Sequence, residues 1–178
     1  MEEKIILAGG CFWCTEAVFS QIDGINKITP GYIGGVTQNP TYKEVCKGDT
    51  NHAEAIEVLY DSKIISLADI LHIFFATHDP TTLNRQGGDI GTQYRSAIFY
   101  EDEKQHKLAE DYIKTLTDNE VYEQPIVTTL EPATTFYPAE AEHMEYYKNN
   151  PNQPFCSMVI APKLAKVHQL FAEKLKRK

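Results

Sequence analysis

The order in which apolar strand-like and amphipathic helix-like segments follow one another limits the folds open to this chain. The first third alternates strand, helix and strand, and a second strand-helix-strand unit follows. Period-two or continuous apolar runs predict the strands, and apolar residues at helical spacing predict the helices. The predicted strands are 4–8, 25–33, 53–60 and 94–100, and the predicted helices are 12–22, 66–75 and 103–116. The core order β-α-β-β-α-β is the ferredoxin-like pattern, so we predict a two-layer α+β domain.

The C-terminal half adds further elements to this core. We predict a fifth, extra strand at 125–130, a short helix at 139–148, a brief apolar run at 158–160 and a closing helix from Pro162. Leu164, Val167, Phe171 and Leu175 would share one face of that last helix. Residues 34–51 and 78–93 are polar and rich in glycine, and we predict long loops there. We find no repeat or linker and expect one domain over 1–178, with 149–178 as a tail and helix packed on it.

Composition and charge exclude several classes of partner. The 178 residues are 42% hydrophobic and 24% charged, as in folded globular chains. The net charge of −8 gives no reason to bind nucleic acid or anionic membranes. We interpret the basic cluster Lys174, Lys176, Arg177 and Lys178 as a solvated helix end. No apolar stretch approaches the ~20 residues of a membrane span, and no signal peptide is recognisable, so we expect a cytoplasmic protein.

The four cysteines are too few for a disulfide-stapled scaffold of this length, which suggests that they are working thiols. Cys11 follows Gly9-Gly10 where a strand ends and a helix begins. The positive end of that helix would lower the pKa of the Cys11 thiol and favour its thiolate. The alternative is a buried core cysteine, the commoner fate of this residue type. Cys14 completes a C-x-x-C spacing that places two sulfurs one helical turn apart.

Five motifs, in order along most of the chain, carry a resemblance to a known family. They are Gly9-Gly10-Cys11-Phe12-Trp13, Gly31-Tyr32-Ile33-Gly34-Gly35, Asn39-Pro40-Thr41-Tyr42, residues 45–54 (VCKGDTNHAE) and residues 85–96 (RQGGDIGTQYRS). Together they closely resemble the peptide methionine sulfoxide reductase A family. The resemblance implies thiol-dependent reduction of methionine S-sulfoxide, free or in oxidised proteins, without a bound cofactor and with thioredoxin as the external reductant. We also expect a monomer.

The resemblance implies a role for each matching residue. Cys11 would be the nucleophile and Glu54 the acid that protonates the sulfoxide oxygen. Tyr42, Tyr94 and Asp89 match groups that bind that oxygen or support the site, while Phe12 and Trp13 match the walls of a methyl pocket. Read alone, Glu54 could be an ordinary exposed carboxylate. Beside a thiolate, burial and repulsion should raise its pKa and keep it protonated.

Attack by Cys11 would leave a sulfenic acid, which a second thiol resolves. Cys156 lies in a tail similar to the one where family members keep a resolving cysteine, and we prefer it. Cys14 is the alternative, because it stands where the family usually has glycine and because the tail here continues into a helix. The physiological reductant and the preference between free and protein-bound substrate stay open.

Two other functions compete with this hypothesis. A thioredoxin-type exchanger would use only the C-x-x-C pair and would leave the later motifs unused. A zinc module is disfavoured because Cys46 and Cys156 are isolated in sequence, and we predict no metal site. We interpret Cys46 as a packed small hydrophobe and His143 as a residue that holds a tail helix in place. Tyr32 and Tyr137 are weaker candidates for the site.

Overall fold

The computed structural model describes residues 1–176 and has one six-stranded sheet with all long helices on one face. The sheet order is β7-β6-β1-β3-β2-β8, and a separate hairpin pairs β4 with β5. The strands are β1 (Glu2–Gly9), β2 (Ile25–Ile33), β3 (Ala53–Asp61), β4 (Arg85–Gln86), β5 (Asp89–Ile90), β6 (Ser96–Tyr100), β7 (Thr129–Pro132) and β8 (Tyr137–Pro138). The central order β6-β1-β3-β2 confirms the predicted ferredoxin-like core.

The helices are placed by apolar faces and by side-chain caps. They are α1 (Phe12–Phe19), α2 (Tyr42–Cys46), α3 (Leu67–Ala76), α4 (Glu103–Asp118), α5 (Tyr146–Asn149) and α6 (Ala161–Leu170). The predicted cap of α3 is confirmed, because the Ser66 hydroxyl accepts from the N–H of Asp69. The helices bury one face of the sheet, including Leu7, Ile56 and Val58. The opposite face, with Ile6, Ala8 and Phe99, packs against Ala133 and Phe136.

Both predicted loops contain regular structure. The first holds α2, where Thr41 and Glu44 form a capping box, each side chain accepting from the other's backbone N–H. The second holds the β4–β5 hairpin and a 3₁₀ turn at Thr92–Tyr94, which delays the start of the next strand to Ser96. Because these elements are short and polar, the sequence has no apolar periodicity that would predict them. Helix α1 ends at Phe19 and not at Ile22.

The C-terminal predictions need the largest corrections. The fifth strand lies at Thr129–Pro132, so most of 125–130 precedes it. The helix expected at 139–148 is broken into a 3₁₀ turn (Ala141–His143) and α5, because Glu145 between them adopts a left-handed φ of 51°. The apolar run at 158–160 belongs to a wide helical turn, Cys156–Ile160, that leads into α6. Helix α6 ends at Leu170, although Phe171 and Leu175 still pack on the core.

The tail is tied to the domain through the end of α1. The N–H of Asp23 donates to the carbonyl of Lys174 at 2.7 Å, and the N–H of Lys176 donates to the carbonyl of Gln21 at 2.8 Å. Of the predicted basic cluster, Arg177 and Lys178 lie outside the described residues. Within the part of the chain that is described, no helix is both long and apolar enough to cross a membrane.

Candidate active site

Cys11 lies at the junction of β1 and α1, as the Gly-Gly sequence before it predicts. It is the residue that caps α1, and it is almost fully buried. Gly10 has a φ of +95°, and a Cβ there would lie 2.7 Å from Cγ of Gln86. Gln86 is itself fixed by two hydrogen bonds with the backbone of Asp79. Glycine therefore lets the chain turn sharply beneath the β4–β5 hairpin and deliver Cys11 to the helix start.

The sheet register brings Glu54 to this junction. Strands β1 and β3 pair with Leu7 opposite Ile56, and two residues further along each strand lie Gly9 and Glu54. Glu54 is fully buried, and its Oε1 accepts from the N–H of Phe12 at 3.1 Å. Its Oε2 is buried without a hydrogen-bond partner among residues 1–176.

Burial is the main reason that the pKa of Glu54 is raised to about 8, and the charges of Asp89 and Cys14 raise it further. The Phe12 N–H opposes this shift. The expected direction is confirmed, and the carboxyl keeps its proton at neutral pH.

The two thiols of the C-x-x-C pair shift each other's pKa, and the prediction that the pKa of Cys11 is lowered is wrong. Burial raises the pKa of Cys11, with further contributions from the hydrogen bond to Cys14 and from Glu54. The pKa of Cys14 is lowered, first by the hydrogen bond from Cys11 and then by the charge of Lys163, against the effect of burial. The interaction with Cys11 and the charge of Lys163 therefore favour deprotonation at Cys14, while burial favours the protonated thiol at Cys11.

Phe12 and Trp13, the predicted methyl-pocket residues, belong to an aromatic cluster that the tail completes. The Trp13 ring stacks on Tyr146 at 3.8 Å and 8°, and it meets the edge of Phe155 at 5.9 Å. Phe12 is fully buried, with its ring 6.0 Å from that of Tyr42. The predicted walls are thus adjacent to Cys11, but tail side chains lie against them in this structure.

The three predicted oxygen-binding residues converge on the same place from separate loops. Tyr42 opens α2, Asp89 opens β5, and Tyr94 ends the 3₁₀ turn beside the Cys11-Cys14-Cys156 cluster. Burial, followed by the charge of Glu54, raises the pKa of both tyrosines, so their hydroxyls keep their protons and can donate. Burial also raises the pKa of Asp89, against the charge of Lys163.

The remaining cysteines differ from each other in their surroundings. Cys156 is fully buried and belongs to the cluster of Cys11 and Cys14. Its pKa is raised by burial and by the charge of Cys14. Cys46 is exposed, so the expectation of a packed residue is wrong. It ends the short helix α2, whose single buried side chain is Val45.

His143 does more than hold the tail, and sequence reasoning missed this role. Its Nδ1 accepts a 3.0 Å hydrogen bond from Nε1 of Trp13, and its ring lies 4.4 Å from that of Tyr42. Glu140 acts beside it, accepting from the hydroxyl of Tyr32 at 2.9 Å and from the N–H of Tyr42 at 3.0 Å. Tyr137 pairs with Tyr32 in the sheet.

The carboxylates of Glu140 and Glu142 and the imidazole of His143 lie within 4.8 Å of one another, as metal ligands can. Two of these three residues already use ligand atoms to hold Trp13, Tyr32 and Tyr42. We therefore interpret the group as support for the aromatic cluster.

A groove of about 1070 Å³ reaches Cys11 and Cys14. The β4–β5 hairpin, the segment 121–124 and α6 form its walls. Lys163 on α6 lines it, and no sequence signal pointed to this residue. Its involvement follows only from the packing of α6 against α1.

A buried acid and a coupled thiol pair at a strand-helix junction on a ferredoxin-like sheet define a thiol-based redox enzyme. Comparisons with known proteins agree with this class of enzyme and identify the family within it. The family model for peptide methionine sulfoxide reductase matches residues 3–175. This chain belongs to the peptide methionine sulfoxide reductase family.

Individual relatives match over nearly the whole chain. The peptide methionine sulfoxide reductase MsrA of Deinococcus radiodurans is 54% identical over 175 residues, which cover 98% of this chain and 85% of that protein. Reduced Mxr1 from Saccharomyces cerevisiae superposes with a TM-score of 0.78 at 36% identity, covering 85% of this chain and 87% of that one. Mxr1 in complex with Trx2 matches with a TM-score of 0.55 at 26% identity, covering 82% and 84%.

Proposed function

We propose that this chain reduces methionine sulfoxide, with Cys11 as the nucleophile and Glu54 as the proton donor. The observation that carries the proposal is the state of the Glu54 carboxyl next to Cys11. One of its oxygens is held by the N–H of Phe12, and the other is buried without a partner within residues 1–176. With a pKa of about 8, this group carries a proton that it can give to a sulfoxide oxygen.

The first step transfers oxygen from substrate to enzyme. The sulfur of Cys11 attacks the sulfoxide sulfur, its own proton passes to Cys14, and Glu54 protonates the oxygen. The oxygen ends on Cys11 as a sulfenic acid, the substrate sulfur gains two electrons, and methionine leaves. Tyr42 and Tyr94 donate to the oxygen and Asp89 supports them, while Phe12 and Trp13 enclose the methyl group.

Cys14 resolves the sulfenic acid, in preference to Cys156. The support is that Cys11 and Cys14 lie one helical turn apart at the start of α1 and shift each other's pKa, whereas the thiol that shifts the pKa of Cys156 is Cys14. Residues one helical turn apart have Cα atoms about 5 Å apart, within the range that a disulfide accepts. The Sγ–Sγ bond forms as the oxygen leaves Cys11 as water.

A dithiol protein of the thioredoxin type then reduces the disulfide, and the complex of the relative Mxr1 with Trx2 supports this choice. The electrons come from thiols throughout, so the reaction needs no bound cofactor. We further propose that the substrate is the S epimer of methionine sulfoxide, both as the free amino acid and in oxidised proteins. We also propose that the protein is a cytoplasmic monomer. All four cysteines are free in the structure, which suits a reducing compartment.

The central test is a dithiothreitol-driven assay on separated sulfoxide epimers. We expect turnover of the S epimer by the wild type and by Cys46→Ser, and none by Cys11→Ser. Activity that survives Cys11→Ser, or the absence of sulfoxide turnover in the wild type, would overturn the proposal. Reduction of insulin disulfides is measured in parallel. If the protein reduces insulin but not the sulfoxide, it is the rival thioredoxin-type exchanger.

The resolving thiol is identified by treating the enzyme with one equivalent of substrate in the absence of reductant. The protein is then denatured, its free thiols are blocked, and the disulfide is located by peptide mapping. We expect a Cys11–Cys14 disulfide in the wild type and in Cys156→Ser. In Cys14→Ser we expect the sulfenic acid to persist and to be trapped by dimedone. A Cys11–Cys156 disulfide formed at the wild-type rate in Cys14→Ser would assign the role to Cys156.

A further inference from the structure

Lys163 occupies an unusual position for a lysine in this chain. It lies on α6, half-buried, and lines the groove that opens onto Cys11 and Cys14. It also lines a small second cavity together with Cys14, Gly9, Phe74 and His78. Lys163 and Cys14 therefore line two cavities in common.

The ammonium of Lys163 has no ion-pair partner among the described residues, although nine ion pairs of lysine, histidine or the N-terminus occur elsewhere in them. A half-buried cation without a fixed carboxylate partner interacts strongly with any anion that forms nearby. The groups around Cys14 that can carry charge are Cys11 and Glu54 from the junction, Asp89 from β5, His78 after α3 and Cys156 before α6.

Two of these groups are neutral near pH 7. Glu54 keeps its proton, and burial lowers the pKa of His78 to about 4, so its imidazole is uncharged. Asp89 is the carboxylate whose pKa the charge of Lys163 lowers, and its own charge opposes the Cys14 thiolate. Asp79, Glu123 and Lys166 also line the groove. Among the three thiols in this cluster, Cys14 is the one whose pKa the charge of Lys163 lowers.

We propose that Lys163 is the positioning residue of the resolving step, holding Cys14 as the thiolate that attacks oxidised Cys11. The inference rests on the proposed role of Cys14. After oxygen transfer, Cys14 carries the proton it took from Cys11 and must lose it to groove water before it can react. Its thiolate then forms the Sγ–Sγ bond, the S–O bond of Cys11 breaks, and hydroxide takes a proton from solvent and leaves as water.

The test separates the two half-reactions by rapid mixing with one equivalent of substrate. Methionine formation measures the first step, and loss of free Cys14 thiol measures the second. In Lys163→Met we expect disulfide formation from the sulfenic acid to slow about tenfold, because losing a nearby cation raises a thiol pKa by about one unit. Methionine formation should also slow, because the Cys14 thiolate accepts the Cys11 proton in that step, so the second step is measured separately from the first. Lys163→Arg should restore the rate, and Lys166→Met, on the exposed side of the same groove, should leave it unchanged.

A pH profile distinguishes an electrostatic role from a merely structural one. The apparent pKa for disulfide formation should rise by about one unit in Lys163→Met and return in Lys163→Arg. Salt offers a check on the unaltered enzyme, because an open groove lets ions screen the attraction. Raising the ionic strength should slow disulfide formation in the wild type.

An unchanged second step in Lys163→Met, or a wild-type rate insensitive to salt, would overturn the role of Lys163 and leave the proposed function intact. Loss of methionine formation in the wild type would instead refute the proposed function. If Lys163→Met fails to fold, the rate of disulfide formation in Lys163→Gln and its salt dependence in the wild type test the role of Lys163 instead.

Discussion

Nε1 of Trp13 donates a 3.0 Å hydrogen bond to Nδ1 of His143, a residue 130 positions later in the chain. Because Nδ1 accepts, the ring proton lies on Nε2, which is buried without a partner among residues 1–176. The aromatic wall next to Cys11 is thus held in place by the tail. Two elements far apart in sequence form one site.

This bond predicts the behaviour of His143 variants. His143→Phe keeps a ring but leaves the Trp13 N–H without an acceptor, at a cost of about 1–3 kcal/mol when the group is buried. We expect KM for the sulfoxide to rise about tenfold or more, with a smaller change in kcat. His143→Asn retains an acceptor and should stay closer to the wild type. The fluorescence of Trp13, the only tryptophan, reports the change directly. Equal KM values for the two variants would contradict the assignment.

Glu54→Gln should lower the rate of methionine formation by about 10²–10⁴, the usual contribution of a positioned acid. The amide oxygen can still accept from Phe12, so circular dichroism and thermal unfolding should show a folded protein. Glu57→Gln, on the same strand but partly exposed beside Lys4, is the matched control and should keep full activity. Activity of Glu54→Gln within twofold of the wild type would refute its role as the acid.

The raised pKa of Glu54 predicts an alkaline limit to activity. The proton is present below pH 8 and lost above it, so the single-turnover rate of methionine formation should decline as the pH rises through about 8. In Glu54→Gln the residual rate should lack this limb. A decline that persists unchanged in Glu54→Gln would place the titration on another group.

The same shift predicts a change of stability with pH. The folded pKa of about 8 exceeds the ordinary value of 4.5, so between these pH values the folded chain holds a proton that the unfolded chain has lost. The free energy of unfolding should therefore fall as the pH rises from about 5 to 8. Glu16, with a pKa near 7 from burial, adds to the same trend. Denaturant titrations should show a shallower fall in Glu54→Gln, and an identical slope would contradict the shift.

Gly10→Ala should destabilise the fold and reduce activity. Its φ of +95° disfavours any side chain, and the added methyl would press on Gln86. We expect a loss of about 1–3 kcal/mol in unfolding free energy, as for strained backbone positions. Gly88→Ala is the matched control, because a Cβ there meets nothing within 4 Å and φ is not positive. Differential scanning calorimetry of both variants decides the point, and equal melting temperatures would count against the proposed strain.

The sequence by itself determined the features that depend on residues close to one another along the chain. The ferredoxin-like order follows from apolar periodicity, the cap of α3 from Ser66 and Asp69, and the Cys11 junction from Gly9-Gly10. The five motifs determined the family. Short elements such as α2 and the β4–β5 hairpin escaped prediction because polar loops leave no periodic signal.

Tertiary structure decided how the sulfurs share a proton and which groups surround them. Cys11 stands at a helix start, as predicted, but burial and Glu54 raise its pKa while Lys163 helps to lower that of Cys14. His143 and Lys163 both come from the C-terminal part of the chain, which only folding brings to α1. Electrostatic effects depend on distance and burial in space, and spacing along the chain does not encode either.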